Sequence, residues 1–259
     1  MGPFFLDTDM ARYKLTLEYD GTNLVGWQRQ TNGPSVQALI EEAAHSFCGQ
    51  KLECTGAGRT DSGVHALGQV AHLDFPAGYP ADTVRDALNS YLRPSAISIL
   101  DAELVSDDFH ARFSATKRTY LYVIINRRSP LTLERGRAWL IPRTLNHKPM
   151  QEGSRYLLGR HDFTSFRATE CQANSPVKTL DRINISRLGD TINITVEARS
   201  FLHRQVRNIV GTLALVGEGK LQPHEVGVIL RAKDRSVAGP CAPAEGLYLT
   251  AVSYEPITG

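Results

Sequence analysis

At 259 residues, 42% hydrophobic and 22% charged, the chain is long enough for one large domain or two small ones, with the balance of an ordinary soluble globular protein. No apolar run approaches the roughly 18 residues that a membrane-spanning helix needs. A net charge of +2 excludes any argument for a nucleic-acid partner from overall charge, so distribution has to decide. Residues 110–143 hold Arg112, Lys117, Arg118, Arg127, Arg128, Arg135, Arg137 and Arg143 against Glu134 alone. Such a stretch can follow a phosphate backbone or form a solvated basic face. Cys48, Cys54, Cys171 and Cys241 are scattered without a C-x-x-C pair, which points to a reduced, cytoplasmic protein with no structural metal. The first ten residues lack a basic n-region and a long apolar core, so they make no convincing signal peptide. Residues 1–11 read as a loose leader, with the fold starting near Arg12.

Tyr13-Lys-Leu-Thr-Leu-Glu-Tyr19 alternates apolar and polar residues, the period of a half-buried strand. Asp20-Gly21-Thr22-Asn23 is a turn by composition. Trp27 follows among amide and basic side chains, where it is either a core residue or an exposed contact. Ser35 is a good N-cap for a helix whose apolar stripe is Val36, Leu39, Ile40, Ala43, Ala44 and Phe47, with Gly49 after its end. The work expected of this helix is packing.

Residues 54–66 are expected to be a loop. Gly56, Gly58, Gly63 and Gly68 bracket Arg59, Thr60, Asp61 and His65, a density that lets a backbone turn tightly or approach a ligand. The Arg59 guanidinium would lie near enough to hold Asp61 ionised or to hold a phosphate beside it. A dinucleotide turn fails on spacing, because Asp61 stands where the third glycine belongs, and no P-loop Gly-Lys-Ser/Thr follows. A plain structural turn remains the alternative. Asp61 and His65 lack a third metal ligand at suitable spacing. Beyond the loop come a strand at 68–75, a helix capped by Asp82 or Thr83 and running through Tyr91, and a strand at 97–104. The order strand, helix, strand, strand, helix, strand belongs to a ferredoxin-like unit.

Residues 106–114 are polar and mark a boundary. Arg118–Asn126 is apolar on both faces, as a central, doubly covered strand would be. Phe163 and Phe166 read as packing residues. Residues 177–187 and 191–199 form two strands joined by a Leu188-Gly189-Asp190 turn. Val206, Ile209, Val210 and Leu213 give a helical apolar stripe, with Arg207 beside it near the start of the helix. A final strand runs to Tyr254.

Several of these stretches carry a resemblance. Gly58-Arg-Thr-Asp-Ser-Gly-Val-His-Ala66 followed by Gly68-Gln-Val70, together with Tyr19–Gln30, Lys117-Arg-Thr-Tyr120, Gly159–Arg167, Ser200–Gly211 and Ala242–Leu249, resembles the TruA family of tRNA pseudouridine synthases. The resemblance covers residues 12–255. It implies an α+β fold of two ferredoxin-like lobes, residues 12–106 and 107–259, sharing an extended antiparallel sheet with the active-site cleft between them. It implies that Asp61 is the catalytic residue, Arg207 its ionic partner, Tyr120 a stacking platform for the target base and Leu247 a pocket wall. Trp27, Lys117 and Arg118 fall in motifs implied to lie near the RNA, and Arg59 is a candidate to fill the gap left by an extruded nucleotide. The implied substrate is tRNA, at uridines 38 to 40 of the anticodon stem-loop. The implied assembly is a homodimer, with no cofactor, metal, DNA or membrane involved.

Pseudouridylation breaks a glycosidic bond, turns the base and rejoins it through carbon 5. No atom is gained or lost, so the chemistry asks only for a carboxylate, a dry pocket and a means of extruding the nucleotide. Two other classes fit parts of the sequence. An RNA-binding module would share the lobes and basic stretch without needing Asp61. A metal-dependent phosphodiesterase would use Asp61, His65 and His72.

Overall fold

The computed structural model describes residues 10–171 and 173–255. The expected leader, residues 1–11, lies outside them except for Met10 and Ala11, and Ala11 opens the first strand. The described residues separate into two compact units, one formed by the chain up to residue 116 together with 252–255, the other by 117–251.

In the first unit the elements are β1 (Ala11–Tyr19), α1 (Val36–Cys48), β2 (Thr55–Gly56), β3 (His65–Phe75), α2 (Ala81–Leu92) and β4 (Ile97–Val105). β1 pairs antiparallel with both β3 and β4, and β2 pairs antiparallel with β3. The resulting order, β4-β1-β3-β2, is that of a ferredoxin-like unit. Its second strand is reduced to two residues, Thr55 and Gly56, set against His72 and Ala71. That pairing corrects the reading of 54–66 as loop throughout, since a two-residue strand has no periodicity to show.

The period-2 pattern of β1 works as expected, with Tyr13, Leu15, Leu17 and Tyr19 buried on one face. Leu73, Phe75, Ile40 and Leu88 close the core around them, and the Tyr13 and Phe75 rings meet edge to face at 5.6 Å. The Ser35 hydroxyl accepts the Ala38 N–H at 3.3 Å, and Gly49 ends α1 at φ +73°, the left-handed geometry that glycine adopts without penalty. α2 differs from expectation. It begins at Ala81 after Pro80, with no side-chain cap, and Asp82 lies in its first turn, where its charge meets the positive end of the helix dipole.

The second unit contains β5 (Ala115–Ile125, from Lys117 on), β6 (Trp139–Leu140), α3 (His147–Ser154), β7 (Gly159–Asp162), β8 (Val177–Leu188), β9 (Thr191–Ala198), α4 (Gln205–Gly217), α5 (Glu225–Ala232) and β10 (Leu247–Tyr254, up to Ala251). β9 lies between β5 and β8, β7 flanks β8, and all three pairings are antiparallel. β6 runs parallel beside β5. β8 and β9 are joined through Gly189, at φ +58°, and Asp190, the two-residue hairpin link that the sequence signals.

The expectation that residues 118–126 are covered on both faces needs correction. Arg118, Tyr120, Tyr122 and Ile124 form a buried face, while Lys117, Thr119, Leu121 and Val123 are only half-buried. Phe163 and Phe166 are fully buried, which is the packing role expected of them. α4 is buried around most of its circumference. The chain is thus of the α+β class. Among the described residues, no helix is long and apolar enough to cross a membrane.

Candidate active site

Asp61 sits in the loop between β2 and β3, and most of that loop is fixed from below. Ala57 enters it buried, its N–H bonded to Val70 O at 2.7 Å. The Thr60 carbonyl accepts the Trp27 N–H at 3.0 Å. The loop then closes on itself, with Val64 N–H donating to Asp61 O at 3.1 Å and Gly63 at φ +78°, the third position of a turn that favours glycine. Ser62 Oγ and the Gly63 N–H both donate to Leu24 O. Asp61 is left half-buried at the top of this turn.

Under the loop lies a polar network that no periodicity announces. Tyr19, 4% exposed at the end of β1, shares a 2.8 Å hydroxyl hydrogen bond with Thr60 Oγ1. Gln69, wholly buried in β3, donates from Nε2 to Gly58 O at 2.9 Å and to the Tyr19 hydroxyl at 3.5 Å. Its Oε1 accepts the Val70 N–H. Burial pushes the Tyr19 phenol up to about 12, against the pull of its Thr60 and Gln69 bonds, so it stays protonated and able to donate. Buried polar groups hold a geometry only when each has a partner, and here they have.

Helix α1 does more than pack. From its polar face Gln37 donates to Cys54 O and accepts the Arg29 N–H. Glu41 accepts the Cys54 N–H at 3.0 Å and pairs with Arg29 at 2.7 Å. The helix therefore grips the chain at Arg29 and at Cys54, just ahead of the loop, a function its apolar stripe does not reveal. Burial pushes the Cys54 thiol well above its ordinary range, which keeps it in its inert, protonated form.

Trp27 is buried rather than exposed, and its ring covers Gly56 so closely that a Cβ there would lie 2.4 Å from it. Arg59 is exposed and has no hydrogen-bond or ion-pair partner among the described residues. The expected Arg59 contact to Asp61 is therefore not formed.

His65 is buried, with Nδ1 accepting the Gly21 N–H at 3.0 Å. Asp20 Oδ1 lies 3.3 Å from the same nitrogen, but it already receives the Thr22 N–H and hydroxyl. A nitrogen that accepts Gly21 N–H carries no proton to give Asp20, so the contact is read as proximity and not as an ion pair. His72 Nδ1 likewise accepts the Ala111 N–H at 3.2 Å. One nitrogen of each imidazole is thus held by backbone. No group of three or more His, Cys, Asp or Glu side chains among the described residues is placed to hold a metal ion.

Burial, followed by the charges of Arg12 and His110, lowers His72 to about 4. The unfolded chain protonates this histidine near 6.5 and the folded chain only near 4, so between those values the unfolded state binds more protons. Stability is therefore expected to fall by about 2–3 kcal/mol as pH drops from 6.5 to 4. Urea unfolding at pH 7 and pH 4.5 checks this, and a His72→Gln variant, which keeps an acceptor for Ala111, should show a flatter pH dependence.

In the second unit Tyr120 is 9% exposed and meets the Phe201 ring edge-on at 5.2 Å. Leu247 is buried at the start of β10. Arg207 lies in the first turn of α4, half-buried, with Nε donating to Ala242 O at 2.8 Å and its own carbonyl accepting the Ala242 N–H. Arg204 precedes the helix at φ +59°, a left-handed conformation that bulky residues rarely adopt. The basic stretch is not one continuous face. Arg118 is buried and donates to Arg199 O, and Lys117 pairs with Glu197 at 3.3 Å. Arg112, Arg128, Arg135, Arg137 and Arg143 are exposed.

Residues 16–114 and 154–255 match the family described as tRNA pseudouridine synthase. The chain is also similar along most of its length to several proteins named tRNA pseudouridine synthase A. It is 58% identical to that of Paramagnetospirillum magneticum over 95% of this chain and 96% of the relative. Identity is 57% to the protein of Parvibaculum lavamentivorans and 55% to that of Sinorhizobium fredii, each over 95% of this chain and the whole of the relative. With the motif loop built as described and similarity running almost from end to end, the chain belongs to the tRNA pseudouridine synthase family, isomerases that act on uridine in tRNA.

Proposed function

We propose that this protein isomerises uridine to pseudouridine at positions 38, 39 and 40 of the tRNA anticodon stem-loop, with Asp61 as the catalytic carboxylate and no cofactor. The observation that carries the reading is the turn on which Asp61 sits, a glycine-closed loop anchored by backbone bonds to β3 and the Leu24–Trp27 segment. Arg207 is its ionic partner, keeping the carboxylate charged where solvent is scarce. Tyr120 and Leu247 enclose the base. Arg59, without a partner in the loop itself, fills the gap left by the extruded nucleotide. Lys117 faces phosphate, while Trp27 and Arg118, both buried, act by supporting the segments that meet the RNA. The enzyme works in the cytoplasm as a homodimer that holds one tRNA across both subunits, reading shape and backbone more than base sequence.

The test follows tritium release from carbon 5 of uridine-labelled tRNA transcripts in the presence of a chelator, with the modified positions mapped by mass spectrometry. Release confined to positions 38–40 supports the reading. RNA fragments, or a requirement for added metal, would instead support the phosphodiesterase, and binding without release the non-catalytic module.

The Tyr19–Thr60–Gln69 network gives a further expectation. Tyr19→Phe leaves the ring in place but strips Thr60 Oγ1 and Gln69 Nε2 of a buried partner, at about 1–2 kcal/mol. Thermal unfolding should shift by several degrees. Turnover should fall about tenfold or more at saturating tRNA, because small displacements of a reacting group are costly. Unchanged turnover with the same loss of stability would reduce the network to structural support.

A further inference from the structure

We infer that Phe113 is a stacking platform for an unpaired base of the substrate RNA, separate from the reacting uridine. The inference rests on tRNA being the substrate, as proposed above. Residues 109–114 precede β5 and contain no regular secondary structure, yet five consecutive N–H groups in them are bonded. His110 N–H donates to Ser114 Oγ at 3.0 Å and Ser114 N–H returns to His110 O at 2.9 Å. Ala111 N–H donates to His72 Nδ1. The N–H groups of Arg112 and Phe113 both donate to His110 Nδ1, at 3.2 and 3.3 Å. Ala111 itself is fully buried in a cluster with Ala57 and Val70, and its carbonyl accepts the Tyr254 hydroxyl at 2.7 Å. The turn therefore rests on the same small core that anchors the entrance to the Asp61 loop.

What this rigid turn presents is a phenyl ring 70% exposed. Single exposed apolar residues are ordinary, but this one is built upon. Its centroid lies 4.3 Å from the His110 ring at a 36° tilt, and His110 in turn contacts the His72 ring at 5.0 Å. The Arg112 guanidinium carbon lies 5.7 Å from the phenyl centroid. A fixed aromatic face backed by imidazole and flanked by a guanidinium is the combination that takes a splayed-out nucleobase, stacking with the base and neutralising its phosphate. Asp107 and Asp108, the acidic residues of the same loop, act on Arg12, whose guanidinium also donates to the Asp107 carbonyl.

The experiment measures equilibrium binding of unmodified tRNA transcript by anisotropy, alongside oligomeric state by light scattering, for wild type, Phe113→Ala, Phe113→Leu and Phe113→Trp. Phe113→Ala is expected to weaken binding about tenfold, within the range for one stacked base. Phe113→Leu should fail to restore affinity and Phe113→Trp should restore it. Because stacking releases no counterion, the slope of log Kd against log salt should stay at its wild-type value. A single-stranded oligoribonucleotide should compete less well against tRNA bound to Phe113→Ala than to wild type, with duplex RNA competing alike for both. Equal affinity of wild type and Phe113→Ala overturns the inference, as does equal recovery by leucine. A change of oligomeric state in Phe113→Ala would also overturn it, assigning the ring to contact with a second copy of the chain. A wild type that isomerises tRNA beside an unaffected Phe113→Ala sinks this inference alone, whereas a wild type that does not bind tRNA sinks it with the reading beneath it.

Discussion

Asp61→Asn is expected to abolish tritium release from labelled tRNA, by about a thousandfold or more, while leaving the fold and RNA binding in place. Asparagine is the same size, and the turn that positions residue 61 is made by backbone groups: Val64 N–H on the residue 61 carbonyl, Gly63 N–H on Leu24 O. Neither bond involves the carboxylate. The change therefore removes charge and basicity without removing the platform, so the loss falls on the chemical step. Melting temperature should fall by several degrees at most, through loss of the proposed ion pair with Arg207, and the protein should still fold. Affinity for tRNA should hold or rise, because a negative charge near the phosphate backbone has been deleted. The measurement is single-turnover tritium release with enzyme in excess, paired with a binding isotherm. Release above about a tenth of the wild-type rate would remove Asp61 from the centre of the reaction. Lost release accompanied by lost binding would point to a wider role in holding RNA.

The sequence disclosed the parts whose signals are local. Ser35 and Gly49 bracket α1 because a hydroxyl cap and a left-handed glycine act within one turn of the helix end. Gly189-Asp190 marks a hairpin for the same reason, and the alternation in β1 reports its buried face directly. The motif loop was legible as a motif, but its support was not. Tyr19, Thr60 and Gln69 stand up to fifty residues apart and meet only once β1 and β3 are paired. β2 is a strand solely because β3 lies beside it. α3 contains Pro149 and Gly153 and is too poor a helix former to stand out. It is held to β8 by Gln151, which accepts the Ile185 N–H and donates to Ile183 O, a tertiary bond with no sequence period. The burial of Arg118 escaped for a related reason, and Trp27 was readable either as core or as contact. An indole or a guanidinium near a motif looks the same in sequence whether it faces solvent or supports a neighbouring segment from beneath.

Gly26→Ala should be a severely damaging single-methyl change near the site, and it separates strain from misplacement. Gly26 holds φ +106°, and a Cβ built there would lie 2.5 Å from the Thr60 carbonyl oxygen and 3.0 Å from the Asp61 carbonyl carbon. The obstacle is backbone, which cannot rotate aside as a long side chain would. The same loop segment is tied at Thr60 O to Trp27 N–H, while Gly26 O accepts from Val36 at the start of α1, so neither side moves freely. Conformational strain and overlap together should cost about 2–4 kcal/mol. The relief open to the chain is displacement of the segment carrying Asp61, and turnover should fall about a hundredfold or more. Gly49→Ala is the matched control. It too has a left-handed φ, +73°, but its Cβ would meet nothing within 4 Å, so it should lose about 1 kcal/mol and keep wild-type turnover. Thermal melts and single-turnover rates for both variants decide the matter. If Gly26→Ala loses stability yet turns over tRNA like Gly49→Ala, the position of the Asp61 backbone is not what limits the reaction.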